Sequence, residues 1–314
     1  MMSAGLHHVT AIAGPAARNL DFYSRVLGLR LVKKTVNFDD PSAYHLYFGD
    51  ETGRPGSIVT FFPWEHAAEG RVGVGETEEI LLQIPAASLG YWTHRFIEKG
   101  VEHSAIDKRF GQSVLPFKDP DGMRLGLVAG ETGDGPGSDA EANASRGEVP
   151  ADHAIIGLFG VSLLLEEAGP TAEILTDIFG FRKIGEEGMR QRFSAPEAAL
   201  GGVVDLHAVG GFLKPRPGRG SVHHIAFRAS DDAAQAEMAE KLTARFNLEV
   251  TEQRDRKYFR SVYFREPGHV LFEIATDEPG FAVDEAPEAL GSGLMLPDRY
   301  EPIRARIEET LPPL

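Results

Sequence analysis

Apolar residues in this chain alternate with polar ones over short runs and recur at helical spacing over a few longer ones, and the two rhythms follow each other in a fixed order. Residues 5–62 read as a strand (GLHHVTAIA), an amphipathic helix (PAARNLDFYSRVLG) and three further strands (LRLVKKTVNF, AYHLYFGD, GSIVTFF), which is a βαβββ unit. The order recurs over 76–130 (ETEEILLQIP, ASLGYWTHRFIEKG, VEHSAID, SVLPFKD, MRLGLVAG) and over 156–209 (IGLFGVSLLL, GPTAEILTDIFG, FRKIGEE, MRQRFSA, GGVVDLHAV). It returns a last time over 220–276 (SVHHIAFRA, DDAAQAEMAEKLTARFN, LEVTEQR, YFRSVYFRE, HVLFEIAT). Gly28 and Gly180 close the first and third helices, and the turns DPDG (119–122) and REPG (265–268) precede the last strands of modules two and four.

The pattern predicts an α+β fold of four βαβββ modules. Residues 131–151 interrupt it with Gly, Ala, Ser and acidic residues and almost no large apolar side chain, as expected of a linker. The expected organisation is an N-terminal half over 1–130, the linker 131–151, a C-terminal half over 152–280 and a tail over 281–314 with a short helical candidate at its end. At 314 residues and 42% hydrophobic content the chain can build sizeable cores. A formal charge of −15 argues against nucleic acid and anionic membrane surfaces as partners. No segment approaches the ~20 apolar residues of a membrane span and MMSAGLHH lacks signal-peptide features, so a cytoplasmic protein is expected. With no cysteine, any metal site must draw on His, Asp or Glu.

The candidate chemistry lies in two histidine doublets, His7-His8 and His223-His224, on the first strands of modules one and four, with Glu273 on the closing strand of module four. Two imidazoles and one carboxylate form the ligand set of a facial-triad metal site. Gly160 lies at the same offset from His8 as Gly180 from Gly28, so module three carries glycine at the histidine position. Alignment on the turn glycines places Leu127 and Phe61 opposite Glu273, so the frame itself does not require a carboxylate there. Adjacent strand residues face opposite ways, and parity leaves open which histidine of each doublet faces the site. Each residue also has an ordinary reading: a strand histidine held by hydrogen bonds, an Arg256 solvated in the run RDRK, a Tyr263 that is a plain strand aromatic.

From LHHVTAI through HHIAF to VLFEIAT, the chain resembles the vicinal oxygen chelate superfamily, and within it the four-module hydroquinone ring-cleaving dioxygenases. The resemblance implies that the second histidine of each doublet is the ligand, giving His8, His224 and Glu273 as the metal set. His7, Thr10, His223, Arg256 and Tyr263 then match the positions that surround the metal or contact substrate. It implies Fe(II), with Mn(II) able to use the same ligands, and O2 and a small aromatic as reactants. Ligands from modules one and four require those two to pair, leaving two with three, each pair curling into a cup and only the first holding metal. Exposed strand edges would favour a homo-oligomer. Two rivals remain: a glyoxalase-like isomerase or lyase with a fourth ligand, Glu79 or Asp205 being the nearest candidates, and a metal-free protein that binds a small aromatic or antibiotic.

Overall fold

The structure, a computed structural model, describes residues 5–130, 148–211 and 213–314. Module one supplies β1 (Leu6–Ala13), β2 (Arg30–Val36), β3 (Tyr44–Gly49) and β4 (Ile58–Pro63). Module two supplies β5 (Glu76–Pro85), β6 (Asp107–Arg109), β7 (Gln112–Lys118) and β8 (Arg124–Gly130). Module three supplies β9 (Gly157–Leu165), β10 (Arg182–Glu187), β11 (Arg190–Ser194) and β12 (Val203–Ala208). Module four supplies β13 (Val222–Ala229), β14 (Arg254–Asp255), β15 (Arg260–Arg265) and β16 (Leu271–Thr276).

Two eight-stranded mixed sheets result, in the orders β14-β15-β16-β13-β1-β4-β3-β2 and β10-β11-β12-β9-β5-β8-β7-β6. Module one therefore pairs with module four and module two with module three, as the ligand set required. Within each pair the two first strands run antiparallel side by side, while each first strand runs parallel to the closing strand of its own module. Helices α2 (Leu89–Lys99), α3 (Gly169–Asp177) and α4 (Asp232–Phe246) connect the strands. The first connection is α-helical only over α1 (Ala16–Leu20) and continues as a π-helix over Asp21–Val26. At α4 the Asp231 carboxylate accepts from the Ala234 N–H at 2.8 Å, capping donors that the helix cannot satisfy itself.

Two expected strands are shorter than the pattern suggested. Of VEHSAID only Asp107 lies in a strand, β6, while His103 reaches Phe117 through an isolated bridge and the Ser104 N–H donates to the Pro116 carbonyl at 2.9 Å. Of LEVTEQR only Arg254 lies in a strand, as the first residue of β14. There the Thr251 hydroxyl accepts the Tyr263 N–H at 3.0 Å and takes the place of a backbone acceptor.

The strands alternate between a packed face and a cup face. In β3, Leu46 and Phe48 join the main core while His45 and Tyr47 turn to the cup; in β4, Phe61 is core and Thr60 and Phe62 turn inward. Core packing bridges modules: Phe179, following α3, stacks on Phe227 of β13 at 3.9 Å between ring centroids.

The tail packs against the first sheet, with the Phe281 ring 5.1 Å from that of Tyr47. Lys33 of β2 is fully buried and donates to Asp284 at 2.6 Å and to Glu285. Arg299 and the Tyr300 hydroxyl both donate to the Phe38 carbonyl, and the chain ends near the short helix α5 (Arg304–Thr310). Most of the expected linker, residues 131–147, lies outside the described residues.

Candidate metal centre

The pairing of β1 with β13 sets Thr10 opposite His224 and His8 opposite Ala226. This register is a local two-fold relation that exchanges His8 with His224 and Thr10 with Ala226. Ala226 in turn pairs with Glu273, and Thr10 with Thr60. The position related to Glu273 in module one is therefore Thr60, not Phe61, which sits one residue on and points into the core. The same relation in the second sheet places Glu79 and Gly160 at the histidine positions and Gly126 and Asp205 at the carboxylate positions. Leu127 is thus also displaced by one residue from the equivalence read off the turns, because aligning turns ignores the strand parity that register imposes.

The two-fold brings the second histidine of each doublet to Glu273. His224 Nε2 lies 2.8 Å and His8 Nε2 3.6 Å from Glu273 Oε2. One donor atom from each residue falls within 4.8 Å of the others, and all three side chains are buried. Metal bonds of about 2.1 Å set neighbouring donors roughly 3 Å apart, so the spacing suits a single cation. Ser261 donates to Glu273 Oε1, whereas Oε2 is buried and receives no aligned hydrogen bond from either imidazole. A buried acceptor left without a partner is costly, and a cation held with the two Nε2 atoms would satisfy it.

Protonation suits the same purpose. Burial raises the Glu273 carboxyl, but the two facing imidazoles outweigh burial and hold it well below the usual carboxylate range. Burial lowers His224 despite the opposing pull of Glu273. An ionised carboxylate beside a neutral imidazole is the form that ligates a metal.

The first histidine of each doublet positions the second. His7 Nδ1 lies 2.9 Å from His8 Nδ1, and His223 Nδ1 lies 2.8 Å from His224 Nδ1. A ligand that offers its Nε2 lone pair carries its proton on Nδ1, and the neighbouring Nδ1 accepts it. His7 is buried behind His8, 5.2 Å from the Phe259 ring, whereas His223 reaches the cavity wall. Burial and then the adjacent His224 lower His223 to about 4. Thr10 lies inside the sheet, with its Oγ1 2.9 Å from Thr60 Oγ1.

In front of the triad lies a cavity of about 240 Å3. Arg256 and Tyr263 line it together: Arg256 Nε donates to the Tyr263 hydroxyl at 3.3 Å, and its Nη2 donates to Asp39 at 3.2 Å. Arg256 is therefore a held cation and not a member of a solvated run. Burial pushes the Tyr263 phenol well up, so it stays a donor. Phe62, Trp64 and Phe259 give an apolar wall, and His45 and Tyr47 line the cavity as well. The sequence reading did not single out Ser261, Asp39, His45, Tyr47 or Thr60. A period-2 signal did exist for His45 and Tyr47 in AYHLYFGD.

The second cup lacks this chemistry. A Cβ on Gly160 would lie 2.1 Å from the Val203 carbonyl oxygen, so no histidine fits there. Asp205 accepts two bonds from Arg192, both at 2.7 Å, and Glu79 pairs with Arg109. Arg192 also stacks 4.2 Å from the Phe110 ring. Neither fourth-ligand candidate approaches the triad, which among the described residues is the one His, Asp and Glu group with metal-ligand spacing.

Known relatives cover nearly the whole chain. A family profile described as the Glyoxalase/Bleomycin resistance protein/Dioxygenase superfamily matches residues 5–127. The chain is 46% identical to the candidate ring-cleaving dioxygenase MhqO of Bacillus subtilis (strain 168), over 98% of this chain and 96% of that protein. It is 31% identical to a chlorohydroquinone/hydroquinone 1,2-dioxygenase of Sphingobium indicum, over 98% and 95% respectively. A crystal structure of a candidate dioxygenase from Bacillus subtilis superposes with a TM-score of 0.93 at 44% identity, covering 100% of this chain and 98% of that one. The chain belongs to the Glyoxalase/Bleomycin resistance protein/Dioxygenase superfamily, among its ring-cleaving dioxygenases. It is an enzyme of the oxygenase class, with a buried His, His, Glu group at metal-ligand spacing.

Proposed function

We propose that this enzyme opens the ring of hydroquinone-type aromatics with O2, using Fe(II) held by His8, His224 and Glu273. The observation that carries the reading is the unpartnered Glu273 Oε2 set between two Nε2 atoms. Fe(II) bound by three protein ligands on one face would supply open positions for a substrate oxygen and O2, and a path for electrons between them. Mn(II) accepts the same ligands and is the alternative occupant. The substrate class follows the hydroquinone dioxygenase relative, and the apolar wall suits one aromatic ring, since a dry cavity of about 150 Å3 already takes benzene.

The protein's own groups divide the remaining work. His7 and His223 fix the tautomers of the two ligand imidazoles. Because His223 accepts the His224 proton on Nδ1, its own proton sits on Nε2 and is available to an oxygen in the cavity. Arg256, anchored by Asp39 and Tyr263, places a permanent cation where negative charge develops on a phenolic oxygen. Among the described residues no helix is long and apolar enough to cross a membrane.

An isomerase or lyase reading would call for a second carboxylate, and the two-fold mate of Glu273 is Thr60. The experiment is oxygen uptake by Fe(II)-loaded and Mn(II)-loaded protein on addition of hydroquinones and catechols, with product mass recorded. Uptake matched one to one by a product carrying both oxygen atoms supports the reading. Turnover without uptake would establish the isomerase or lyase instead.

A further inference from the structure

The tail beyond β16 has no part in the chemistry above, yet it grips from behind the two segments that meet at Arg256. One is residues 256–259, which join β14 to β15 and deliver Arg256 and Phe259 to the cavity. The other follows β2, where Asn37, Phe38 and Asp39 line the same cavity. The two touch where Arg256 Nη2 donates to Asp39.

The ends of the 256–259 segment are held unequally. Phe259 is buried, 5.2 Å from the His7 ring and 5.1 Å from that of His8. Arg256 instead follows β14, an exposed edge strand of two residues. Its own bonds are long, 3.3 Å to the Tyr263 hydroxyl and 3.2 Å to Asp39, a largely exposed carboxylate. Contacts of that kind fix a long side chain weakly. Next to it Lys257 takes φ +68°, a left-handed conformation that is costly for a residue with a Cβ and persists only where the surroundings enforce it.

The tail supplies that enforcement through one carboxylate. Asp284 Oδ2 lies 2.9 Å from Lys257 Nζ and accepts from the Tyr258 hydroxyl at 3.1 Å, while Oδ1 accepts from Lys33 Nζ at 2.6 Å. Lys257 also donates to the Leu296 carbonyl at 3.0 Å, and the Gly280 N–H donates to the Tyr258 carbonyl at 2.9 Å. Tyr258 is buried and packs on Phe281 with 5.1 Å between ring centroids. A buried ammonium such as Lys33 is costly without its partners, so Lys33 fixes Asp284 to β2 and Asp284 in turn fixes the segment. Further along the tail, Arg299 and Tyr300 hold the Phe38 carbonyl, beside Asp39.

We propose that Asp284 is a positioning residue of the active site: by tying Lys257 and Tyr258 to β2, it holds the Arg256 guanidinium at the place where it meets the substrate oxygen. The role given to Arg256 rests on the dioxygenase reading, whereas the tie itself does not.

Two measurements test this on the whole chain. In hydrogen exchange read by mass spectrometry, Asp284→Asn should speed exchange over 256–259 about 10-fold and leave β1 and β13 unchanged, as expected of a local opening. In oxygen uptake with hydroquinone, Asp284→Asn should lower kcat/KM about 10-fold in the native background and less than about 2-fold in an Arg256→Ala background, because a residue that acts through another adds no further loss once that residue is gone. Tyr258→Phe keeps the packed ring and removes one bond to Asp284, so it should show the same pattern with a smaller loss, and it serves if Asp284→Asn does not fold. Equal losses in both backgrounds, no loss at all, or exchange raised evenly across the sheet would overturn the proposal. The exchange comparison needs no substrate, so failure of the dioxygenase reading appears separately, as no oxygen uptake by the native enzyme.

Discussion

Thr60 and Glu273 occupy two-fold-related positions on β4 and β16, and only one of them is a carboxylate. Their difference makes the first cup asymmetric and, under the proposed metal site, leaves three protein ligands.

Restoring the symmetry should change the chemistry. Thr60→Glu places a second carboxylate facing the site, and we expect metal affinity to rise while oxygen uptake falls at least 10-fold, because a coordination position needed by the reactants is occupied. Calorimetric metal titration alongside an oxygen electrode measures both. Unchanged uptake with tighter metal binding would show that the fourth position is not needed.

Ser261 holds the Glu273 oxygen that does not face the imidazoles. Its replacement by alanine should lower metal affinity about 10- to 100-fold, the range for groups that orient a ligand, while Ser261→Thr retains most of it. Competition against a chelating dye reads the affinity directly. Equal affinity in the alanine variant would mean that packing alone orients the carboxylate.

In the second cup, Arg192→Ala leaves the Asp205 carboxylate buried and uncompensated, since both side chains are almost fully enclosed. A loss of about 3–5 kcal/mol in unfolding free energy is expected, with metal stoichiometry unaltered in the folded fraction. Denaturant melts measure it. A loss below about 1 kcal/mol would show that water reaches Asp205 readily.

Burial raises Glu76 to about 7, opposed only by its bond from the Gly73 N–H. The folded state thus holds this proton more tightly than the unfolded chain does. The associated stability is full below the ordinary glutamate range and is lost as pH rises from there through about 7. Glu76→Gln mimics the protonated form and should melt higher than the native protein at pH 8, with the two converging near pH 4.5. Melting curves at both pH values check this, and a constant difference would contradict it.

The module order, the four-fold repeat and the two histidine doublets with Glu273 were legible because they rest on local periodicity and on residue types with few other uses on apolar strands, whereas the second histidine of each doublet was chosen by the family resemblance and not by strand parity. Alternation in AYHLYFGD put His45 and Tyr47 on one face without saying which, and Ser261 and Asp39 gave no signal of their own, since the roles of all four come from neighbours on other segments. Matching modules by their turns misplaced Phe61 and Leu127 by one residue, and in a strand that turns a cup-facing side chain into a core one. The tail was unreadable for a different reason: its partners, Lys33 and the Phe38 carbonyl, lie more than two hundred residues away in sequence.

The central claim is that one metal ion bound by His8, His224 and Glu273 carries the reaction. Its most direct measurement is oxygen uptake in the presence of hydroquinone as Fe(II) is titrated anaerobically into metal-free protein. The rate should climb linearly and stop at one equivalent per chain, and it should stay at background throughout for Glu273→Ala and His224→Ala. Full uptake by either variant, or a native rate independent of added metal, would contradict the account.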